Sequence, residues 1–127
     1  ELKGEARSRD NGKLTKQVEH MTDVVKRTCA DYGVTADITV TDSYSAFSLN
    51  QEDYVVKLAC SAAEAMGIEP RLESTGGGSD ANIINGYGIP SVVLGMGYSN
   101  VHTTQESIPI EQLVAAAEYV VSIIKNN

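Results

Sequence analysis

The chain has 127 residues, 42% of them hydrophobic, enough for about one domain with a core of its own. Its formal net charge is -7, from 17 acidic against 10 basic residues, and that balance excludes a general nucleic-acid binder, which needs a concentrated basic surface. No apolar run approaches the roughly 20 residues a membrane-crossing helix needs, so neither nucleic acid nor a membrane is expected as a partner.

The first residues alternate. Leu2, Gly4 and Ala6 oppose Lys3, Glu5 and Arg7, the period of a half-exposed strand. With no Met ahead of it, a chain that opens inside a strand reads as part of a longer protein. Asp10-Asn11-Gly12 is a turn able to cap a helix. Leu14, Val18, Met21, Val25 and Cys29 then recur at threes and fours until Gly33, which predicts an amphipathic helix of about five turns. Val34, Ala36, Ile38 and Val40 alternate with polar residues and predict a second strand. Residues 43–49 read as a connector. Asn50 followed by Asp53 resembles a capping pattern. The helix after it carries Tyr54, Val55, Leu58, Ala59, Ala62, Ala63 and Met66, and stops at Gly67.

A short strand from Arg71 to Ser74 leads into Thr75-Gly76-Gly77-Gly78-Ser79-Asp80-Ala81-Asn82. Asp80 to Asn85 is a short helix at most, broken by Gly86 and Gly88. Residues 90–95 are apolar on both faces, as in a covered central strand of a parallel sheet. A glycine-rich loop runs on to His102. The last helix, about Glu111 to Lys125, is expected to bury Leu113, Ala117, Val120, Val121 and Ile124. The order suggests two units: a small α+β piece over 1–42, and residues 50–127, which alternate helix and strand like the end of an α/β domain. Neither is complete alone. Cys29 and Cys60 fall on apolar helix stripes. The sequence leaves a disulfide between them open, and two buried free thiols in a reducing cytoplasm are the preferred reading.

Three features invite chemistry. Gly76-x-Gly78-x-x-Ala81 fits a loose dinucleotide fingerprint, but that motif needs a long following helix and an acid about 20 residues on. Here the helix is short and no acid lies between 95 and 105. No Lys-Ser/Thr follows the glycines, so the loop is not a P-loop. A tight strand-to-helix turn is the plain reading. The loop nevertheless follows a strand, where ligands of open α/β sheets bind, and glycines there admit a ligand to backbone N–H groups. His102, in the loop after the apolar strand, is expected on the same sheet edge. An imidazole there suits zinc, with Glu106 four residues on as an acid able to orient it. His20, mid-helix beside Met21, reads as structural. Arg7 shares a strand face with Lys3, Glu5 and Arg9, which viewed alone is an ordinary charged edge.

Taken in order, GEARSRD (4–10), TGGGSDAN (75–82), GIPSVVLGMG (88–97) and VHTTQES (101–107) resemble one family across nearly the whole chain. It is the co-catalytic zinc peptidase family of peptidase T, aminoacylase, glutamate carboxypeptidase and succinyl-diaminopimelate desuccinylase, and the peptidase T-like branch is the nearest in motif. The resemblance implies an α/β fold: the C-terminal part of a zinc-peptidase catalytic domain over 50–127. The last β-α-β of an α+β lid or dimerisation domain would precede it over 1–42, with 43–49 as linker. It implies that His102 is a zinc ligand and that Arg7 clamps the substrate carboxylate, for which a guanidinium fork is suited. Gly77, Gly78 and Ser79 would line the substrate site, and Asp80 and Asn82 would shape that loop or touch substrate.

The family's His-x-Asp segment, bridging aspartate, Glu-Glu pair and further acidic ligand have no counterpart in this sequence. A single ligand makes no catalytic zinc site. The resemblance therefore implies a cytoplasmic parent enzyme with two zinc ions that hydrolyses peptide bonds with a metal-activated water and a glutamate base. It implies a homodimer formed through residues 1–42, and 127 residues that are inactive and hold no stable zinc alone. The alternatives are an N-acyl amino acid amidohydrolase or carboxypeptidase of the same family, or a non-catalytic dimerisation module.

Overall fold

The computed structural model describes all of residues 1–127 and contains four helices: α1 (Asn11–Asp31), α2 (Tyr54–Ala65), α3 (Asp80–Gly86) and α4 (Ile110–Lys125). The chain divides into two units. The first joins Glu1–Ser48 to Thr75–Ile89, and the second joins Leu49–Ser74 to Pro90–Asn127.

In the first unit α1 begins where the turn chemistry places it. Asp10 is extended and its Oδ1 accepts the Lys13 N–H at 2.9 Å, satisfying one of the helix's unpaired first donors. Its end is equally local. Gly33 takes a left-handed φ of 65°, which costs a residue without Cβ little, and the Val34 N–H turns back to the Cys29 carbonyl at 2.9 Å. Gly67 and Gly88 end α2 and α3 by the same device. The stripe Leu14, Val18, Met21, Val25 and Cys29 is the half-buried side of α1, as its spacing predicts, although no α1 residue is fully buried. The segment 1–8 runs beside that stripe: a Cβ placed on Gly4 would stand 3.3 Å from the Met21 Cε. Two carboxamides tie the rest of the unit together. Asn11 Oδ1 accepts the Ala46 N–H at 3.1 Å, and Asn82 Nδ2 donates to the Ser45 carbonyl at 2.9 Å.

The second unit is built on α2 packed against α4. Its buried side chains are Val56, Ala59, Ala62 and Ala63 of α2. Small residues let the two backbones approach, and α4 uses the approach to reach α2's carbonyls. The Tyr119 hydroxyl donates to the Ala59 carbonyl at 2.8 Å, and Ser122 Oγ donates to the Ala62 carbonyl at 3.1 Å. This corrects the expected face of α4. The side turned to α2 is Ala115, Ala116, Tyr119, Ser122 and Ile123, whereas Leu113, Ala117, Val120, Val121 and Ile124 lie exposed. A helix apolar on both sides offers two stripes to a periodicity argument, and the small-polar one fits a tight helix pair better.

The expected strands are a second correction. Residues 1–8, 34–41, 71–74 and 90–95 are in neither helix nor ladder, and the pairing present is an isolated antiparallel bridge between Ser99 and Ser107. The structure therefore shows the expected helices and, in place of the expected strands, segments without a hydrogen-bonded sheet. Alternation marks which face of a segment could be buried, but a strand exists only when its backbone pairs with a neighbour, and these segments form no ladder. Their apolar residues stay open: Leu2, Val34 and Val93 are 87%, 57% and 55% exposed.

The accessible area matches this openness. The chain exposes 10290 Å². One compact 13.6-kDa monomer should expose about 6,600 Å², and two separate domains of half that mass about 7,900 Å². The excess thus belongs to the units themselves, whatever their arrangement. Cys29 and Cys60 are free thiols, both half-buried. No helix is long and apolar enough to cross a membrane.

Candidate functional site

The glycine loop belongs to the first unit and opens α3. Thr75 Oγ1 accepts the Gly77 N–H at 3.1 Å, tightening the turn. Ser79 is the extended residue before α3, and its N–H donates to Asn82 Oδ1 at 3.0 Å. Asn82 thus uses both ends of its carboxamide on the chain itself, one on Ser79 and one on Ser45. Asp80 is the acid in α3's first turn, where a negative charge meets the helix's unpaired N–H groups. The three glycines differ. A side chain on Gly76 would meet open space, and one on Gly77 only the Thr75 hydroxyl at 3.6 Å. One on Gly78 would overlap the hydroxyl and ring of Tyr44. The bare backbone at Gly78 is therefore covered by the chain's own aromatic residue, while Gly76 and Gly77 remain open.

Tyr44 is held there by its neighbours: Ser45 and Ala46 are the residues fixed by Asn82 and Asn11. Arg7 lies in the same unit. Its guanidinium Nε donates to Glu5 Oε1, two residues back on the same side of the extended segment. That hydrogen bond, then the opposite charge, holds the Glu5 carboxyl below its usual value. Arg7 is raised above its usual value by the Glu5 hydrogen bond first, then by the Glu5 charge, with a further electrostatic contribution from Tyr44. Both partners of the ion pair are exposed, so the pair contributes little to stability. Its effect is local: it fixes where the fork points. The shared face of Glu5 and Arg7 was a sufficient sequence signal for this pair. No signal in a single sequence marked Tyr44, which read as connector.

His102 belongs to the second unit, in a loop closed at its neck by two hydrogen bonds between Ser99 and Ser107, of 2.9 and 3.1 Å. Within it Thr103 Oγ1 donates to the Asn100 carbonyl at 2.7 Å, and the Gln105 N–H donates to Thr103 Oγ1 at 3.2 Å. Asn100 and His102 have φ of 53° and 64°, in the left-handed region that residues with a Cβ rarely enter. Glu106 explains how His102 stays there: its Oε2 accepts the His102 backbone N–H at 2.6 Å. The acid that the sequence offered as a partner for the imidazole thus grips the main chain instead. The imidazole is left exposed at the loop's tip. His20 is exposed on α1.

The resemblance implies two zinc ions, and the residues present do not fit them. No group of three or more His, Cys, Asp and Glu side chains comes together to hold a metal ion, and a catalytic zinc needs about three protein ligands. What the chain does offer is a glycine loop with open backbone at Gly76 and Gly77 and with Tyr44 over Gly78, a Glu5–Arg7 ion pair in the same unit, and separately one presented imidazole.

Comparison with known proteins gives these parts a common setting. The chain is 43% identical over 121 residues to YqjE of Bacillus subtilis, a match that takes in 95% of this chain and 33% of that one. It is 27% identical over 124 residues to peptidase T of Fusobacterium nucleatum. Among solved structures it superposes on aminopeptidase PepT of Bacillus cereus with a TM-score of 0.78 and 44% identity, covering 92% of this chain and 31% of that one. A tripeptidase of Staphylococcus aureus gives a TM-score of 0.84 and 45% identity, over 93% of this chain and 32% of that one. The chain spans about a third of the length of these relatives. Residues 5–126 match the model of the peptidase family M20/M25/M40, and the chain belongs to that family.

Proposed function

We propose that the whole protein to which this chain corresponds is a peptidase that cleaves short peptides in the manner of a tripeptide aminopeptidase. The observation that carries this reading is the likeness, at 44–45% identity over more than nine-tenths of the chain, to an aminopeptidase and a tripeptidase of solved structure. In this reading residues 1–42 are the end of a lid and dimerisation domain, 43–49 a linker, and 50–127 the end of the catalytic domain. Arg7 binds the substrate carboxylate through its fork. The open backbone at Gly76 and Gly77, with Ser79 and Asp80 beyond it, lines the peptide, and Asn82 keeps that wall in shape. His102 contributes one imidazole to a zinc centre whose other ligands come from elsewhere in the protein. In this reading the 127 residues alone are inactive, since a catalytic zinc takes about three protein ligands and this chain would supply one.

Hydrolysis assays on the whole protein, with zinc or cobalt supplied, test the reading against tripeptides and N-acyl amino acids. Tripeptides are expected to be cleaved. Faster turnover of acyl amino acids would move the assignment to an amidohydrolase of the same family, and failure to cleave any amide would leave a non-catalytic dimerisation module as the better account. His102→Ala is expected to lower the bound metal. An unchanged zinc stoichiometry would remove His102 from the ligand set.

A further inference from the structure

His102 stands on a backbone that few side chains accept. Its φ of 64°, like the 53° of Asn100 two residues before it, lies in the left-handed region, where a Cβ carries a steric cost that glycine escapes. Such a residue persists only where its surroundings over-determine it. The loop's neck is closed by Ser99 and Ser107, and at its base Gln112 of α4 lies over Gly97, where an added Cβ would stand 3.1 Å from Oε1. At the tip the Thr103 N–H donates to the Asn100 carbonyl and the Glu106 N–H to the Thr103 carbonyl, both at 3.2 Å. The second of these turns carries Glu106 back towards His102, and its Oε2 accepts the His102 main-chain N–H at 2.6 Å, a charge-assisted bond. The neck and the turns thus fix the residues around His102, and Glu106 fixes His102 itself. Returning His102 to the right-handed region would turn it by roughly 120° about N–Cα, and the imidazole would lose its present direction.

We infer that Glu106 is a positioning residue: its carboxylate, acting on the His102 main-chain N–H and not on the ring, sets the direction in which the loop presents the imidazole. This rests on the reading of His102 as a working residue of the whole protein. An acid near such a histidine is ordinarily sought on a ring nitrogen; here it acts one step earlier, through the backbone. An N–H needs an acceptor and not a charge, so the carboxamide oxygen of Glu106→Gln can replace most of the grip, while Glu106→Ala removes it.

The test uses the whole protein, isotope-labelled at histidine and threonine for NMR. In Glu106→Ala the His102 amide is expected to exchange with solvent roughly tenfold faster, the effect of one lost hydrogen bond to a charged group. The Thr103 amide, bonded to Asn100, should keep its rate. Turnover of trialanine is expected to fall roughly tenfold in kcat with KM little changed, and Glu106→Gln should recover most of both losses. Faster exchange at Thr103 as well would mean a loosened loop, and an unmoved His102 amide would mean no grip; either overturns the inference. A Glu106→Gln variant no better than Glu106→Ala would do so too. His102→Ala separates the two levels. If it abolishes turnover while Glu106→Ala keeps it, only the role of Glu106 fails. If His102→Ala also keeps turnover, the reading of His102 fails and takes the inference with it.

Discussion

At Gly78 the missing side chain is a packing requirement, and at Gly76 it is not. Gly78→Ala forces the Tyr44 ring off the loop, an overpacking defect expected to cost about 1–2 kcal/mol in chemical denaturation of the whole protein. Gly76→Ala meets open space at a residue without a left-handed backbone and is expected to stay within about 0.5 kcal/mol. Equal costs at the two positions would contradict the placement of Tyr44. The Glu5–Arg7 pair makes a pH prediction. Glu5 is depressed below 4.5 in the folded chain, so the pair is intact above that value and opens as pH falls through the lower, folded one. A carboxyl titration followed by NMR should place Glu5 below 4.5, and Arg7→Gln should return it there. A Glu5 midpoint that ignores Arg7 would show that the pair is not formed. The site was only partly legible at this scale. His102, Arg7 and the glycines carry types and spacing that suggest chemistry. The roles of Glu106, on a main-chain N–H, and Tyr44, on a glycine, depend on three-dimensional proximity that no spacing rule encodes.

For the elements, helices were legible and strands were not, for a physical reason. A helix satisfies its own backbone, so Asp10 at one end and Gly33 at the other are enough to delimit α1. A strand's backbone is satisfied by another segment, and residues 34–41 have the alternation without the ladder. The face of α4 was misread because both its sides are apolar enough to be a core. The contact that decides the matter is polar: the Tyr119 hydroxyl on the Ala59 carbonyl. Partial burial first, then the nearby Cys60, raises the Tyr119 phenol above 10.0. A group raised by folding adds stability that is complete below its unfolded value and is lost as pH rises through the folded one. The α2–α4 pair should therefore loosen in alkali above about pH 10. Thermal melts between pH 8 and 11 on Tyr119→Phe should show a loss of about 1 kcal/mol at pH 8 and a flatter alkaline limb. An alkaline limb as steep as the wild type's would assign the transition to another group.

Over the whole molecule, the accessible area is the dominant fact. An excess above even two separate domains means that much apolar surface lacks a partner. Burying a Val, Leu or Ile side chain is worth about 1.5–3 kcal/mol. The row from Leu113 to Ile124, already about half-covered, thus leaves roughly 3–6 kcal/mol unrealised, a sizeable share of the net stability of a domain, about 5–15 kcal/mol. Prepared alone, the 127 residues should associate in solution, and Val120→Lys with Ile124→Lys should reduce that association. A monodisperse monomer by light scattering would contradict the prediction. The two-sided character of α4 also governs how the whole protein can vary. In a saturation scan of substitutions, α1 should alternate between tolerant and intolerant positions every three to four residues, because one of its sides is polar. Through the body of α4 that rhythm should fade, with one side refusing bulk against α2 and the other refusing charge. A helix with no permissive side changes slowly, and the C-terminal segment should drift less between relatives than its distance from any chemistry would suggest.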